Sequence, residues 1–153
     1  MAYTAFISYN TSPAEQVFVY RLQTIAGASD ITVLLPQRNG QRITNETKLR
    51  INKADCVIAF LTSKLSDEVR EELAYAEGRN ALVIPIYEKG LRPSGLPKNL
   101  KWISYDPRNE TPGMVEQAVL NLLREKKKEK ENRNAILLVG LGLGLLALMT
   151  SDK

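Results

Sequence analysis

Short, almost entirely apolar runs recur along this chain, and they restrict its fold more than any other feature does. The clearest are residues 3–9, 56–61 and 81–86. Each run is too short for a typical helix and is rich in β-branched or aromatic residues, which favours strands. Strands that are apolar on both sides lie in sheets covered on both faces. The runs therefore predict a buried, mainly parallel sheet.

Helix signals separate these runs. Ser12–Glu15 is a capping box with proline at the first helical position, and Gly27 is expected to end the helix that it opens. Ser66 is expected to cap a helix after the second apolar run. Further strands are expected at 31–35 and 102–105, and further helices at 45–54 and from 112 onwards. With right-handed crossovers, this alternation predicts an α/β fold: a doubly wound, flavodoxin-like five-stranded parallel sheet with helices on both faces.

The composition excludes several kinds of chemistry. The chain has no histidine, which removes the commonest general base, the Ser-His and Cys-His pairs, and most zinc and haem sites. Its single cysteine, Cys56, lies inside an apolar run, where a buried, inert thiol is expected. No G-x-G-x-x-G follows the first strand, and there is no Walker A motif. Catalysis must therefore rest on carboxylates, hydroxyls, lysine or arginine, or on the reactivity of the substrate itself.

The end of the chain is predicted to be a second module. Residues 135–149, AILLVGLGLGLLALM, carry no charge, and basic residues dominate the segment before them. Fifteen helical residues cover about 22 Å, so spanning a core of roughly 30 Å would need flanking residues with tilt or thinning. We predict a domain at 1–123, a basic juxtamembrane linker at 124–134, and a C-terminal hydrophobic transmembrane or tail-anchor helix at 135–150. The alternative is a hydrophobic helix that packs on a partner protein.

Charge and cysteine content give the expected location. The net charge of +4 comes from the C-terminal third, so nucleic acid is not an expected partner of the folded part. The N-terminus lacks the basic start and apolar core of a signal peptide. A single cysteine suits a reducing compartment, and the basic residues before the tail fit the positive-inside rule. We therefore predict a single-pass or tail-anchored membrane protein with its domain in the cytoplasm.

One carboxylate is placed to meet a ligand. On a helical wheel at about 100° per residue, Glu72 lies only about 65° from the centre of the apolar stripe, whereas Glu68 and Glu71 point well away from it. The stripe consists of Val69, Leu73 and Ala76. Open α/β sheets bind ligands at the carboxyl edge of their strands, where the following helices begin. Glu72 is therefore the candidate carboxylate, and the alternative is a glutamate that flanks the core and reaches solvent.

Several motifs resemble those of Toll/interleukin-1 receptor (TIR) domains. The run YTAFISY at 3–9 is similar to the family's "DxFISY" opening strand. ELAYA at 72–76, followed by VIPI at 83–86, resembles its "E-[IL]-x-x-A…VIPI" stretch, and residues 48–58 resemble its second helix and third strand. The resemblance covers residues 3–123. It implies a five-strand doubly wound domain in which the loop after the second strand, residues 37–46, controls assembly and access to the pocket.

The resemblance also implies an activity. Many TIR domains cleave NAD⁺ at the nicotinamide-ribose bond, and their catalytic glutamate falls by motif on Glu72. It implies an NAD⁺ nucleosidase or ADP-ribosyl cyclase in signalling or defence, with NAD⁺ as substrate, no cofactor or metal, and activation by self-association with other TIR domains. Nicotinamide leaves as a neutral ring, so no general acid is needed. A carboxylate near the ribose stabilises the oxocarbenium-like transition state.

Five further residues are candidates for binding the substrate. They are Ser8, Tyr9, Asn10, Arg38 and Arg42. The first three end the first strand, where the pocket should open, and Tyr9 either packs on a ring of the substrate or closes the core. The two loop arginines are candidates for binding phosphates, with a simply solvated side chain as the alternative for each.

Two departures from the NAD⁺-cleaving relatives keep other functions open. Basic residues often follow the first strand there, whereas this chain has Asn10 and Thr11. The tryptophan often found just before the catalytic glutamate is absent, with Glu68 to Arg70 in that region. The main alternative is a non-catalytic TIR adaptor that recruits other TIR proteins. A third possibility is an enzyme like nucleoside deoxyribosyltransferases, which share the sheet and a catalytic carboxylate.

Overall fold

Strands and helices alternate along the part of the chain that the structure describes. The computed structural model describes residues 2–10, 13–40, 42–61, 66–88, 103–105 and 112–143. The strands are β1 (Tyr3–Tyr9), β2 (Ile31–Leu34), β3 (Cys56–Leu61), β4 (Val83–Glu88) and β5 (Ile103–Tyr105). The helices are α1 (Pro13–Gly27), α2 (Asn45–Lys53), α3 (Asp67–Gly78) and α4 (Pro112–Leu143).

The strands form a parallel sheet, so the predicted α/β architecture is confirmed. Strands β1 to β4 lie in the order β2-β1-β3-β4, and the three-residue β5 pairs with β4. In this sheet β2 lies on one side of β1, and β3, which follows β2 in the sequence, lies on the other side of β1. The carboxyl ends of β1 and β3, where Ser8 pairs with Ala59 and Tyr9 with Phe60, are therefore a topological switch point, the usual ligand site of such sheets.

Helices cover both faces of this sheet, which explains why its strands are apolar on both sides. Helices α1 and α4 cover one face, chiefly through Phe18, Val19, Leu22, Val119 and Leu123. Helices α2 and α3 cover the other, through Ile51, Val69, Leu73 and Ala76. On the first face, the ring of Phe18 stacks on that of Phe60, with centroids 4.2 Å apart. The site described below lies at the edge where α1 and α3 begin.

Helix α4 continues without a break through residues 124–134, so the predicted linker is helical. Its basic side chains bind the amino end of the sheet. Arg124 Nη2 donates to Ser29 Oγ at 3.0 Å, Lys127 Nζ donates to the Ser29 carbonyl at 3.1 Å, and Lys130 Nζ lies 2.9 Å from Asp55 Oδ1. Three basic residues of the predicted juxtamembrane linker therefore dock this helix on the domain.

The structure does not support the predicted membrane-spanning helix. Within the described residues, which end at Leu143, no helix has a long enough apolar stretch to cross a bilayer. The predicted segment at 135–150 begins inside α4, and its residues from 144 onwards lie outside the described part of the chain.

Candidate active site

Glu72 lies in the second turn of α3 with its side chain facing the carboxyl end of β1. The helix begins at the predicted cap, where Ser66 Oγ accepts a hydrogen bond from the backbone N–H of Val69. From there the helical period buries the apolar stripe and brings Glu72 inward, where only 1% of its surface is exposed. The orientation expected from the wheel is confirmed, and a glutamate that merely reaches solvent is excluded.

Three hydrogen bonds hold the Glu72 carboxylate. Ser8 Oγ donates to Oε1 at 2.6 Å, Arg38 Nη2 donates to Oε1 at 2.8 Å, and Arg38 Nε donates to Oε2 at 2.9 Å. Pairing of a guanidinium with both oxygens of a carboxylate is among the strongest ionic contacts in proteins. A buried charge of this kind is tolerated only with such partners. Arg38 therefore neutralises the candidate catalytic carboxylate in this state.

Glu68 and Tyr9 complete the surroundings of Arg38. Glu68 Oε2 lies 3.7 Å from Arg38 Nε, and the Tyr9 ring centroid lies 5.4 Å from Arg38 Cζ. Burial alone would lower the pKa of Arg38, but the hydrogen bonds and charge of Glu72, followed by Glu68 and Tyr9, raise that pKa overall. Burial, and then Tyr20, raise the pKa of Tyr9. The site thus combines the carboxyl groups of Glu72 and Glu68 with a guanidinium and a phenol whose pKa values are both raised.

The β2–α2 loop, residues 35–44, brings Arg38 to this place. Thr47 on α2 holds the loop at Gln37: its hydroxyl accepts from the Gln37 N–H and donates to the Gln37 carbonyl, both at 2.9 Å. At the far end of the loop, the Ile43 N–H donates to Glu71 Oε2 at 2.6 Å. Between these anchors the chain turns at Gly40, whose φ of +83° is a conformation that glycine adopts without strain.

Asn10 ties together the elements that surround the site. Its backbone N–H donates to the buried carboxylate of Glu15 on α1 at 3.1 Å. Its side-chain Oδ1 accepts from the N–H of Ser66, the cap of α3, at 3.2 Å. The end of β1 is thereby fixed to the first turns of two helices, which holds Ser8 and Glu72 in register.

Comparison with protein families gives one decisive match. The TIR domain family matches residues 5–120, which is most of the chain. This chain belongs to the TIR domain family. Among curated proteins, no sequence matches it significantly.

A solved structure shares the fold of this TIR domain. The structure of Clostridium botulinum CMP N-glycosidase, BcmB, superposes with a TM-score of 0.57 at 16% sequence identity. The match covers 76% of this chain and 97% of the other. At this identity the similarity concerns the fold, which agrees with the parallel sheet described above.

The TIR domain brings four of the six predicted site residues together. Ser8 and Arg38 bind the Glu72 carboxylate, the Tyr9 ring lies against Arg38, and Asn10 supports this cluster from the edge. Arg42 does not join them: its side chain is exposed, and its backbone N–H donates to Asn39 Oδ1 at 3.3 Å. Arg38 precedes the turn at Gly40 and is largely buried, whereas Arg42 follows that turn and is exposed.

Sequence reasoning missed two residues that the TIR domain places at this site. Glu68 and Glu71 point away from the apolar stripe, as the wheel predicts, but both meet the β2–α2 loop. The available signal for Glu68 was its spacing from Glu72, because a glutamate one turn earlier lies on the same side of a helix, whereas Glu71, the residue next to Glu72, gave no such signal. Among the described residues, no group of three or more Cys, Asp or Glu side chains is arranged to hold a metal ion.

Proposed function

We propose that this TIR domain is an NAD⁺ nucleosidase in which Glu72 is the catalytic carboxylate. The observation that carries the proposal is the burial of Glu72 at the β1–β3 switch point, with the Ser8 hydroxyl on one of its oxygens. A carboxylate that is fixed and shielded from water acts strongly on a positive charge that develops beside it. No histidine, thiolate or metal is needed for this chemistry.

The proposed reaction breaks the bond between the ribose C1′ and the nicotinamide nitrogen. Both electrons of the bond stay with the nitrogen, so the pyridinium becomes neutral nicotinamide. Glu72 binds the ribose hydroxyls and stabilises the positive charge that moves onto the sugar. Water then adds to C1′ and loses a proton, which gives ADP-ribose. Attack by a nucleophile of the same ADP-ribosyl group would give a cyclic product instead.

The arrangement of Arg38 corresponds to a closed state of the proposed enzyme. Its guanidinium occupies both oxygens of Glu72, so the ribose hydroxyls can bind only after Arg38 moves. The β2–α2 loop that carries Arg38 has separate anchors on α2 and α3. We propose that self-association of TIR domains shifts this loop, and that the released Arg38 then binds the phosphates. This would make activity dependent on protein concentration.

One observation favours the alternative of a non-catalytic TIR adaptor. The pairing of Glu72 with Arg38 and Ser8 satisfies the carboxylate completely, as in a purely structural ion pair. In that case the domain would assemble with other TIR domains without consuming NAD⁺. The two functions differ in one measurable property: an NAD⁺ nucleosidase releases nicotinamide when the domains assemble, and an adaptor does not.

A substrate panel separates these possibilities. The full chain is assayed at low and high protein concentration, and on crowding liposomes, with NAD⁺ and with CMP. We expect nicotinamide release that rises more than linearly with protein concentration, and much slower release of cytosine. Assembly without release of either base would support the adaptor, and faster cytosine than nicotinamide release would replace NAD⁺ by a pyrimidine nucleotide as the substrate.

Membrane attachment stays a prediction about the end of the chain. Full-length protein that remains with membranes through a carbonate wash would support insertion, whereas removal by salt alone would exclude it. The docking of α4 on the domain pairs one of the basic charges, because Lys130 lies 2.9 Å from Asp55 Oδ1, whereas Arg124 and Lys127 donate only to neutral oxygens of Ser29 and keep their charge for surface attraction.

A further inference from the structure

The Arg38 guanidinium lies in a subsite whose walls all favour a planar cation. Glu72 binds two of its nitrogens, the Glu68 carboxylate lies 3.7 Å from Nε, and the Tyr9 ring is close enough for a cation–π contact. Only 12% of the Arg38 side chain is exposed, compared with 26% for Glu68. The cation is thus enclosed on several sides by negative charge and an aromatic ring.

Guanidinium and N-alkylpyridinium groups share the properties that such walls recognise. Both are flat, both spread one positive charge over the whole group, and both are weakly hydrated for cations. Negative carboxylates and the electron-rich face of tyrosine attract either one. A neutral base of similar size gains nothing from the carboxylates and loses part of its hydration when it binds there.

We propose that Glu68 and Tyr9 form the subsite for a cationic leaving group, which Arg38 fills in the closed state, and that Glu68 is the residue that favours N-ribosylpyridinium substrates over neutral nucleosides. The proposal rests on the proposed NAD⁺ nucleosidase function and names how that site selects its substrate. Glu72, which lies one helical turn further along α3, binds the ribose. Arg38 acts as a built-in competitor that the substrate must displace.

Charge movement during the reaction gives Glu68 a distinctive kinetic role. The ring carries its positive charge before the bond breaks and becomes neutral as the charge moves onto the ribose. A carboxylate beside the ring therefore stabilises bound substrate more than the transition state, so Glu68 lowers KM without raising kcat. Glu72, next to the ribose, acts in the opposite way and supports kcat.

A binding experiment tests the subsite without depending on turnover. In Arg38→Ala the subsite is vacant, and 1-methylnicotinamide chloride is the cationic probe, with neutral nicotinamide and an equal concentration of potassium chloride as references. We expect 1-methylnicotinamide to raise the melting temperature of Arg38→Ala clearly more than nicotinamide does. The difference should vanish in Arg38→Ala/Glu68→Gln and persist in Arg38→Ala/Asp67→Asn, which removes an exposed charge from the same helical turn. Equal responses to both probes, or an unchanged difference after Glu68→Gln, would overturn the proposal.

A kinetic arm covers the case in which Arg38→Ala does not fold. In the wild-type background, Glu68→Gln should raise the KM for NAD⁺ by about 2- to 5-fold, as expected for one partly exposed charge pair, and should leave kcat equal or slightly higher, because the lost contact favours bound substrate over the transition state. Asp67→Asn should change neither. An unchanged KM, or a loss confined to kcat, would overturn the role of Glu68. A wild-type protein that releases no nicotinamide would instead contradict the proposed function, while the binding arm would still decide on the subsite.

Discussion

The Glu71 carboxylate accepts a hydrogen bond of 2.6 Å from the backbone N–H of Ile43, which joins α3 to the end of the β2–α2 loop. The next residue, Glu72, holds the same loop through the Arg38 side chain. Two successive glutamates thus bind one loop, one through its main chain and the other through a side chain. Of these two, Glu72 alone is almost completely buried.

Glu71→Ala should release the end of the loop without removing the catalytic carboxylate. Loss of a partly exposed charge-assisted hydrogen bond is expected to lower the free energy of unfolding by about 1 kcal/mol. Hydrogen exchange at the Ile43 amide should become faster, while nicotinamide release should stay far above that of Glu72→Gln. Unchanged exchange at Ile43 would show that the contact does not hold the loop. Glu71→Gln should have the smaller effect, because its amide oxygen can still accept the bond.

The pairing of Arg38 with Glu72 can be measured by a double-mutant cycle in urea. Arg38→Ala leaves a buried carboxylate without its cation and should cost about 3 kcal/mol of stability. Adding Glu72→Gln should recover part of that loss, with a coupling energy of at least about 1 kcal/mol. Strictly additive effects would mean that the two side chains do not interact in solution.

Ser8→Ala should weaken catalysis by loosening Glu72. The substitution removes the only hydroxyl that donates to Glu72 among the described hydrogen bonds and leaves the carboxylate bound to Arg38 alone. We expect kcat for nicotinamide release to fall by about 10-fold, consistent with the loss of one orienting hydrogen bond. The thermal midpoint should fall by only a few degrees. A variant with wild-type kcat would show that the Ser8 hydroxyl does not orient Glu72 for catalysis.

The fold could be predicted from the sequence because the patterns that indicate its strands and helices are local. Apolar runs, the Ser66 cap and the helical period each depend on neighbouring residues, and they placed β1, β3 and α3 within a residue or two. The inward orientation of Glu72 could be predicted for the same reason. A helical wheel needs only the stripe of one helix to decide which side chains face the sheet.

The contacts of the site could not be predicted because they join distant parts of the chain. Arg38 reaches Glu72 across 34 positions, and Ile43 reaches Glu71 across 28. The wheel measures distance from the core, so it set Glu68 aside although a loop cation lies beside it. Arg42 was grouped with Arg38 by its closeness in sequence, but Arg38 is buried against Glu72 and Arg42, beyond the turn at Gly40, is exposed.

The buried thiol of Cys56 should make the free energy of unfolding depend on pH in the alkaline range. Burial raises the pKa of Cys56 from 9.0 to about 11, against smaller lowering effects of Tyr3 and Lys126. Between these two values the folded protein keeps the proton that the unfolded chain releases, so stability is complete below pH 9 and falls as the pH rises towards 11. Cys56→Ala should be less stable throughout but show a shallower decline between pH 9 and 10. Parallel curves for the two proteins would contradict the assignment.

Glu72 is proposed as the catalytic carboxylate, and the rate of nicotinamide release by Glu72→Gln tests this role most directly. The substitution keeps the size of the side chain and removes its charge. The matched control is Glu77→Gln, an exposed glutamate of the same helix. Both variants and the wild type are assayed at the same high protein concentration, after circular dichroism has shown that each is folded. We predict a loss of about 10²-fold or more for Glu72→Gln and wild-type activity for Glu77→Gln. Full activity of Glu72→Gln, or an equal loss in both variants, would contradict it.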